Sequence, residues 1–210
     1  MRRSGPFKMW VEPVTLAGKH VMLRPLLKED ADRLSGIFEP ELFTYTIDQP
    51  DWKSQAAVRE HVNRLVSDGS RVYFLIMNSM DASTAGHTAY LDIRERDKSL
   101  EIGATVIGRR FHGTPVNAET KLLLMGHAFE KLGAVRVQLK TDARNLRSQA
   151  AIEALGARRE GTLRSYQTNS AGYVRDTVIY SVISSEWPAV KKHIVERVRE
   201  KERAAIGGHE

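Results

Sequence analysis

The sequence predicts an α+β (mixed α/β) fold with an antiparallel meander at its centre, and three observations lead there. Strand-like and helical runs follow one another along 210 residues in the order β, α, α, β, β, β, α, β, α, β, β, with a charged helix behind them. The three consecutive central strands are joined by short polar stretches, which suit antiparallel neighbours rather than crossovers. One long helical run opens on a Gly-Thr-Pro junction and closes on a glycine, so its limits are written in the chain.

The first strand is "KHVMLRPL", rich in valine and leucine, and "KEDADRLSGIF" follows as a short helix with acidic residues in its first turn. "SQAAVREHVNRLVSDG" reads as a second helix, with Ser54 as its cap and Gly69 near its end. "RVYFLIMNS", "TAGHTAYLDIR" and "SLEIGATVIG" are the three central strands, separated by "MDAST" and "ERDKS". In "NAETKLLLMGHAFEKLG" the residues Leu122, Met125, Phe129 and Leu132 recur at helical spacing and Gly133 supplies the stop. "AVRVQLKTDA" is a strand, "RSQAAIEALG" a helix ended by Gly156, and "ARREGTLRSYQ" and "VRDTVIYSVI" are two strands joined by "TNSAGY". No repeat or low-complexity linker interrupts the order. The expectation is therefore one domain over 1–210, with its core at about 14–187 and a charged helix and tail at 188–210.

A hydrophobic fraction of 41% and a charged fraction of 28% are those of a globular protein, and no apolar run approaches the roughly 20 residues that span a bilayer. The basic N-terminus lacks the apolar core of a secretory signal, so the reading is cytoplasmic with no membrane partner. Zero cysteines exclude disulfides, thiolate metal sites and a cysteine nucleophile. Seven histidines form no H-x-x-x-H or H-E-x-x-H pattern, and no metal is expected. The net charge of +6 favours acidic partners, either nucleic acid, an anionic surface or a polyphosphate-bearing small molecule. Much of that excess lies in "VKKHIVERVREKERAA", where mixed charges suggest a solvated helix. Nucleic acid is not the expected partner.

The stretch "IGRRFHGTPVNAETK" holds the most chemistry. Pro115 suits the first turn of a helix, Thr114 can cap the amides beyond it, and Gly113 allows a sharp turn and a close approach. Free N–H groups at a helix start suit a phosphate, and Arg109 and Arg110 add charge beside them. The alternative is an ordinary capped helix next to two surface arginines. With no G-K-[ST] and no G-x-G-x-x-G, nucleotide hydrolysis and dinucleotide binding lose support.

This segment, followed by "HAFEKLGAVRVQLKTDARNLRSQAAIEALGARREGTLRSY", resembles the GCN5-related N-acetyltransferase (GNAT) superfamily, in its RimJ/RimL-like ribosomal-protein N-terminal acetyltransferase branch. The similarity runs from "VMLRPL" to "DTVIYSVISSEW". The family's [QR]-x-x-G-x-[GA] motif is matched at Arg110 and Gly113, but its last position is Pro115, which removes one amide from the phosphate site. "NLRSQAAIEALGARREG" keeps Asn145, Arg147, Ser148, Glu153 and Gly156 in register. The fold implied is a mostly antiparallel seven-stranded sheet with helices on both faces and a splay between strands 4 and 5, where the pantetheine arm enters.

The resemblance implies acetyl transfer from acetyl-CoA, a co-substrate, to a primary amine by direct attack on the thioester. Implied cofactor contacts are the main chain at Ala104, Thr105, Val106 and Ile107, the turn formed by Arg109, Arg110, Phe111, His112, Gly113, Thr114, Pro115, Val116 and Asn117, and Asn145 with Ser148 after the fifth strand. Asn145 has a helix cap as its alternative role. Glu101 is the first candidate base, acting directly or through water. His112, although its pKa is convenient, falls at the phosphate end and reads as a cofactor contact or surface residue. Many family members carry a tyrosine as acid where this chain has Ile152, so Ser148 or Tyr166 must serve, unless solvent protonates the thiolate. Among the remaining large side chains, Trp10 and Met125 read as core or rim. Phe43, Tyr45 and Trp52 fall in "ELFTYTIDQPDW", where the family shapes its acceptor pocket, and they either line a substrate groove or pack under a loop.

The acceptor is left open between a protein N-terminus and a small-molecule amine. A non-catalytic CoA-binding or regulatory protein is the alternative function, supported by Pro115 and Ile152. A nucleic-acid binder rests on charge alone. A monomer and a homodimer are both compatible with the pattern.

Overall fold

The computed structural model of the chain describes residues 10–48 and 54–207, so Trp52 lies outside the described residues. Among the described residues, eight strands form one sheet: β1 (Leu16–Ala17), β2 (Val21–Pro25), β3 (Val72–Asn78), β4 (Thr84–Arg94), β5 (Ser99–Ile107), β6 (Arg136–Asp142), β7 (Arg158–Thr168) and β8 (Val174–Ile183). Their spatial order is β1-β2-β3-β4-β5-β6-β8-β7, antiparallel throughout except for the β5–β6 pair. The seven strands expected are all present, and the eighth is the two-residue edge strand β1. No pattern can announce so short a strand. It exists because the Gly18 amide bonds Val21 O and folds Leu16 back opposite Leu23.

Among the described residues, five α-helices accompany the sheet: α1 (Ala31–Ser35, after a 3-10 turn at Lys28–Asp30), α2 (Gln55–Ser67), α3 (Val116–Gly126), α4 (Leu146–Glu153) and α5 (Trp187–Gly207). Ser54 caps α2 by accepting from Ala57 N. The helical repeat seen beyond α3 continues as a wider π turn, His127–Lys131. The widening begins just past Leu124, whose carbonyl accepts from the buried Tyr90 hydroxyl at 2.6 Å.

Alternation along β3 divides the core. Val72, Phe74 and Ile76 join the cluster beneath α3 and α5, and Tyr73, Leu75 and Met77 join the one beneath α1 and α2. Both faces are covered, which is why this strand reads as a continuous apolar run. α5 departs from the sequence reading. Trp187, Val190, Ile194 and Val198 recur every three or four residues and are buried against the sheet and α3, so only its outer faces are solvated. α3 is equally unusual: Glu119, on its inner side, is buried and accepts from the main-chain N–H groups of Lys19 and His20, fastening the β1–β2 turn to the helix.

Candidate active site

β5 is paired on one edge and opened on the other. Its register with β4 slips between His87 and Ala89, where Ala104 takes a left-handed conformation with φ 47°, the geometry of a bulge. Toward β6 it pairs only at Ser99–Arg136, Leu100–Val137 and Glu101–Gln138, whereas β6 stays paired with β8 as far as Asp142–Thr177. The two parallel strands therefore part beyond Glu101. A groove of about 1120 Å³ fills the opening, and Ala104, Thr105, Val106 and Ile107 form one wall of it.

At one end the groove reaches the turn before α3. Thr114 Oγ accepts from Val116 N and donates to Phe111 O, so it holds the turn and satisfies the first amide of the helix, whose cap position is Pro115. Gly113 has φ 81°, a left-handed conformation that an L side chain strains. Burial, with Arg147 and Arg109 nearby, keeps the His112 imidazole below its ordinary pKa; neutral and protonated on Nε2, it donates to Ile107 O at 2.8 Å. Phe111, His112, Gly113, Thr114 and Asn117 line the groove, but Arg109, Arg110, Pro115 and Val116 do not. Arg109 instead bonds Glu39 and Glu41, Arg110 stacks on the Phe111 ring, and Val116 is buried in the core. The cations that do line this end are Arg147, Arg197 and Lys201.

At the centre lies Glu101, whose residue is 1% exposed. Its Oε2 accepts from Lys140 Nζ at 3.0 Å and Gln138 Nε2 at 3.2 Å. Gly103 makes room for it: a Cβ there would sit 2.7 Å from Glu101 Oε1 and from Leu91 Cδ1. Lys140 also lies over the Tyr166 ring, 5.7 Å from its centre, which brings Tyr166 to the same cluster from β7. Asn145 takes the capping role: its Oδ1 accepts from Ser148 N at 3.0 Å, leaving its NH₂ group and the Ser148 hydroxyl at the groove. Ile152 is buried there and offers no proton. On the opposite wall Lys121 reaches in from α3 and donates to Thr105 Oγ; burial pushes its pKa down to about 7.

The other end is enclosed by residues 41–48, α2 and β8. Phe43 is buried beneath it and Tyr45 is half exposed at its rim, whereas Met125 is core and Trp10 is partly buried, donating to Leu132 O. Arg175 is buried there, bonding Tyr45 O at 2.9 Å and Thr177 Oγ. His87, edge-on to the Phe38 and Tyr73 rings, is held neutral by burial, its pKa lowered to about 3.

Residues 20–158 match the acetyltransferase (GNAT) domain family. The chain belongs to the GNAT acetyltransferases. A GNAT fold with a mostly antiparallel sheet is therefore what carries this groove, and the enzyme class is acyltransferase, as N-acetyltransferase. This GNAT chain is 26% identical over 82% of its length to "Uncharacterized N-acetyltransferase p20" of Bacillus licheniformis, covering 98% of that protein. It is 25% identical, over 82% of its length and 96% of the relative, to "Putative ribosomal N-acetyltransferase YdaF" of Bacillus subtilis, in keeping with the RimJ/RimL-like branch. Among solved structures, a "putative acetyltransferase from T. thermophilus" superposes with a TM-score of 0.85 at 38% identity, over 90% of this chain and all of the other.

Sequence reasoning about this GNAT chain missed Lys121, Arg175, Arg197 and Lys201. Lys121 and Arg175 sit on the inner faces of α3 and β8, where polar residues break the apolar pattern, and that break was the available signal. Arg197 and Lys201 lie four apart beside the apolar seam of α5, hidden by the density of charge around them. Among the described residues no helix is long and apolar enough to cross a membrane, and no cluster of three or more acidic or histidine side chains is placed to hold a metal.

Proposed function

We propose that this domain transfers the acetyl group of acetyl-CoA to a primary amine, the amine attacking the thioester directly. The observation that carries this reading is the parting of β5 from β6 just beyond Glu101, which leaves an unpaired strand edge beside a buried carboxylate. The edge at Ala104–Ile107 suits the amides of an extended pantetheine arm, as an added strand would. The capped turn at Gly113–Thr114 and its surrounding cations suit the phosphates.

Glu101 accepts a proton from the acceptor ammonium, directly or through one water, and its Oε1 accepts no hydrogen bond among the described residues. The free amine forms the new C–N bond, the C–S bond breaks, and the remaining extra proton on nitrogen leaves to water. A main-chain N–H on the unpaired edge of β5 stabilises the oxygen of the intermediate. The departing thiolate takes its proton from Tyr166 or Ser148, or from solvent. Tyr166→Phe and Ser148→Ala separate these: the acid's loss lowers kcat by roughly tenfold or more and shifts the alkaline limb of the pH profile, and equal small effects from both point to solvent.

The acceptor tried first is a protein N-terminus, because one relative carries the name of a ribosomal N-acetyltransferase. The test is thiol release from acetyl-CoA over a panel of N-terminal peptides, polyamines and amino acids. Turnover on peptides alone supports the full reading, and turnover on small amines alone moves the acceptor. Tight cofactor binding with no turnover on any amine overturns it in favour of a non-catalytic CoA-binding protein, which the apolar Ile152 at the groove would then explain.

A further inference from the structure

We propose that α5 is part of the cofactor site, and that Arg197 and Lys201 clamp the diphosphate of CoA against the turn before α3. The inference rests on the reading of the groove as a CoA site.

Lys201 Nζ donates to Gly113 O at 2.8 Å, which fixes an ammonium on the turn that lines the groove and leaves it two further donors. Arg197 lies one helical turn earlier on the same face, and both line the groove. Neither has a carboxylate partner among the described residues, in contrast to their neighbours: Lys191 pairs with Glu130, and Arg199 and Arg203 both pair with Glu196. Glu202, next to Lys201, turns the other way to meet Lys19 and His20.

The turn itself is short of donors. Pro115 has no N–H to offer, and Arg109 and Arg110, nearest to it in sequence, are held outside the groove by Glu39, Glu41 and the Phe111 ring. Lys201, bound to the Gly113 carbonyl, brings a cation of α5 to that turn, with Arg197 beside it on the groove. Their helix is not free to drift, because Val190, Ile194 and Val198 are buried along its inner face. Two unpartnered cations held close repel each other, and Lys201 responds with a pKa lowered by burial and by Arg197. A doubly charged anion relieves that repulsion.

The test is calorimetric titration of the full chain and of Arg197→Gln, Lys201→Gln and the double variant with three probes: CoA, dephospho-CoA and inorganic pyrophosphate. Each single change is expected to weaken CoA and dephospho-CoA equally, by roughly tenfold, and the double change by more, with a shallower dependence on salt. Lys192→Gln, an exposed change on the same helix, is expected to leave all affinities unchanged. Three results overturn the clamp: unaltered affinities in the double variant, a loss confined to CoA, which assigns the cations to its 3′-phosphate, or an equal loss in Lys192→Gln, which reduces the effect to net charge. Melting temperatures that match the wild type confirm that α5 stays docked. If wild type binds pyrophosphate through these residues but does not bind CoA, the cations form a diphosphate site and the CoA reading, with the cofactor clamp that rests on it, falls.

Discussion

The part of the groove from Glu101 to Arg175 and the end at Gly113 handle charge in opposite ways. Around Glu101 and Arg175 each buried charge has a partner: Glu101 has Lys140, Asp142 has the more exposed Arg144, and Arg175 donates to the Tyr45 carbonyl. Around Gly113 the cations Arg147, Arg197 and Lys201 have no carboxylate partner among the described residues. A balanced buried site fixes geometry and suits a proton transfer, since each group is held where it must act. An unbalanced open site waits for an anion and is sensitive to salt. On the proposed reading, one groove divides its labour between chemistry and capture.

The largest expected effect sharpens that division. Glu101→Gln keeps the shape and the bond to Lys140 but cannot take a proton, so kcat is expected to fall by roughly 10²- to 10⁴-fold while CoA affinity changes little. Steady-state kinetics beside calorimetry check this, and a parallel loss of cofactor binding would erase the distinction between the two ends.

Lys121 comes next, because it is a charge-bearing group buried between them. Its folded pKa of about 7 lies below the ordinary lysine value of 10.5, so the unfolded chain binds the proton more readily across that window. Stability therefore rises as pH climbs from 7 toward 10.5, at up to about 1.4 kcal/mol per unit, and is flat for this group below 7. Lys121→Met is expected to be the more stable protein at pH 7 and to lose that rise, as urea denaturation at several pH values would show.

Arg175→Met removes a buried donor from Tyr45 O and is expected to destabilise the fold by roughly 2–3 kcal/mol and to raise KM for the acceptor more than for CoA. The smallest effect belongs to the other end. Gly113→Ala, at φ 81° with open space around it, is expected to cost about 1 kcal/mol from backbone strain alone, with a modest loss of CoA affinity.

What could be read from the chain follows the range of the interactions involved. Ser54, Thr114 and Gly113 act within a few residues of themselves, and the caps and turns they form were legible. β1 was not, because two residues carry no period, and its pairing depends on the Gly18 turn. The parting of β5 and β6 depends on register across strands 37 residues apart at Glu101 and Gln138, and only the resemblance to a family implied it. Arg109 and Arg110 illustrate the limit best. Their position beside the turn was plain, but Glu39 and Glu41, which turn Arg109 away, come from a segment that nothing local connects to them. In α5 the seam Trp187, Val190, Ile194, Val198 was present in the letters and was outvoted by the charges between.

The wall at the far end of the groove is stitched from distant pieces. Ile47 O accepts from Ser170 N in the β7–β8 turn, Tyr45 O accepts from Arg175 on β8, and Arg144 lies 3.6 Å over the Tyr173 ring and 5.5 Å from the Tyr45 ring. The segment 43–48 and the hairpin tip are therefore one exchangeable cassette, bolted to the sheet but separate from the turn before α3. If the acetyl-transfer reading holds, exchanging both pieces together is expected to change the acceptor amine while leaving CoA affinity unaltered.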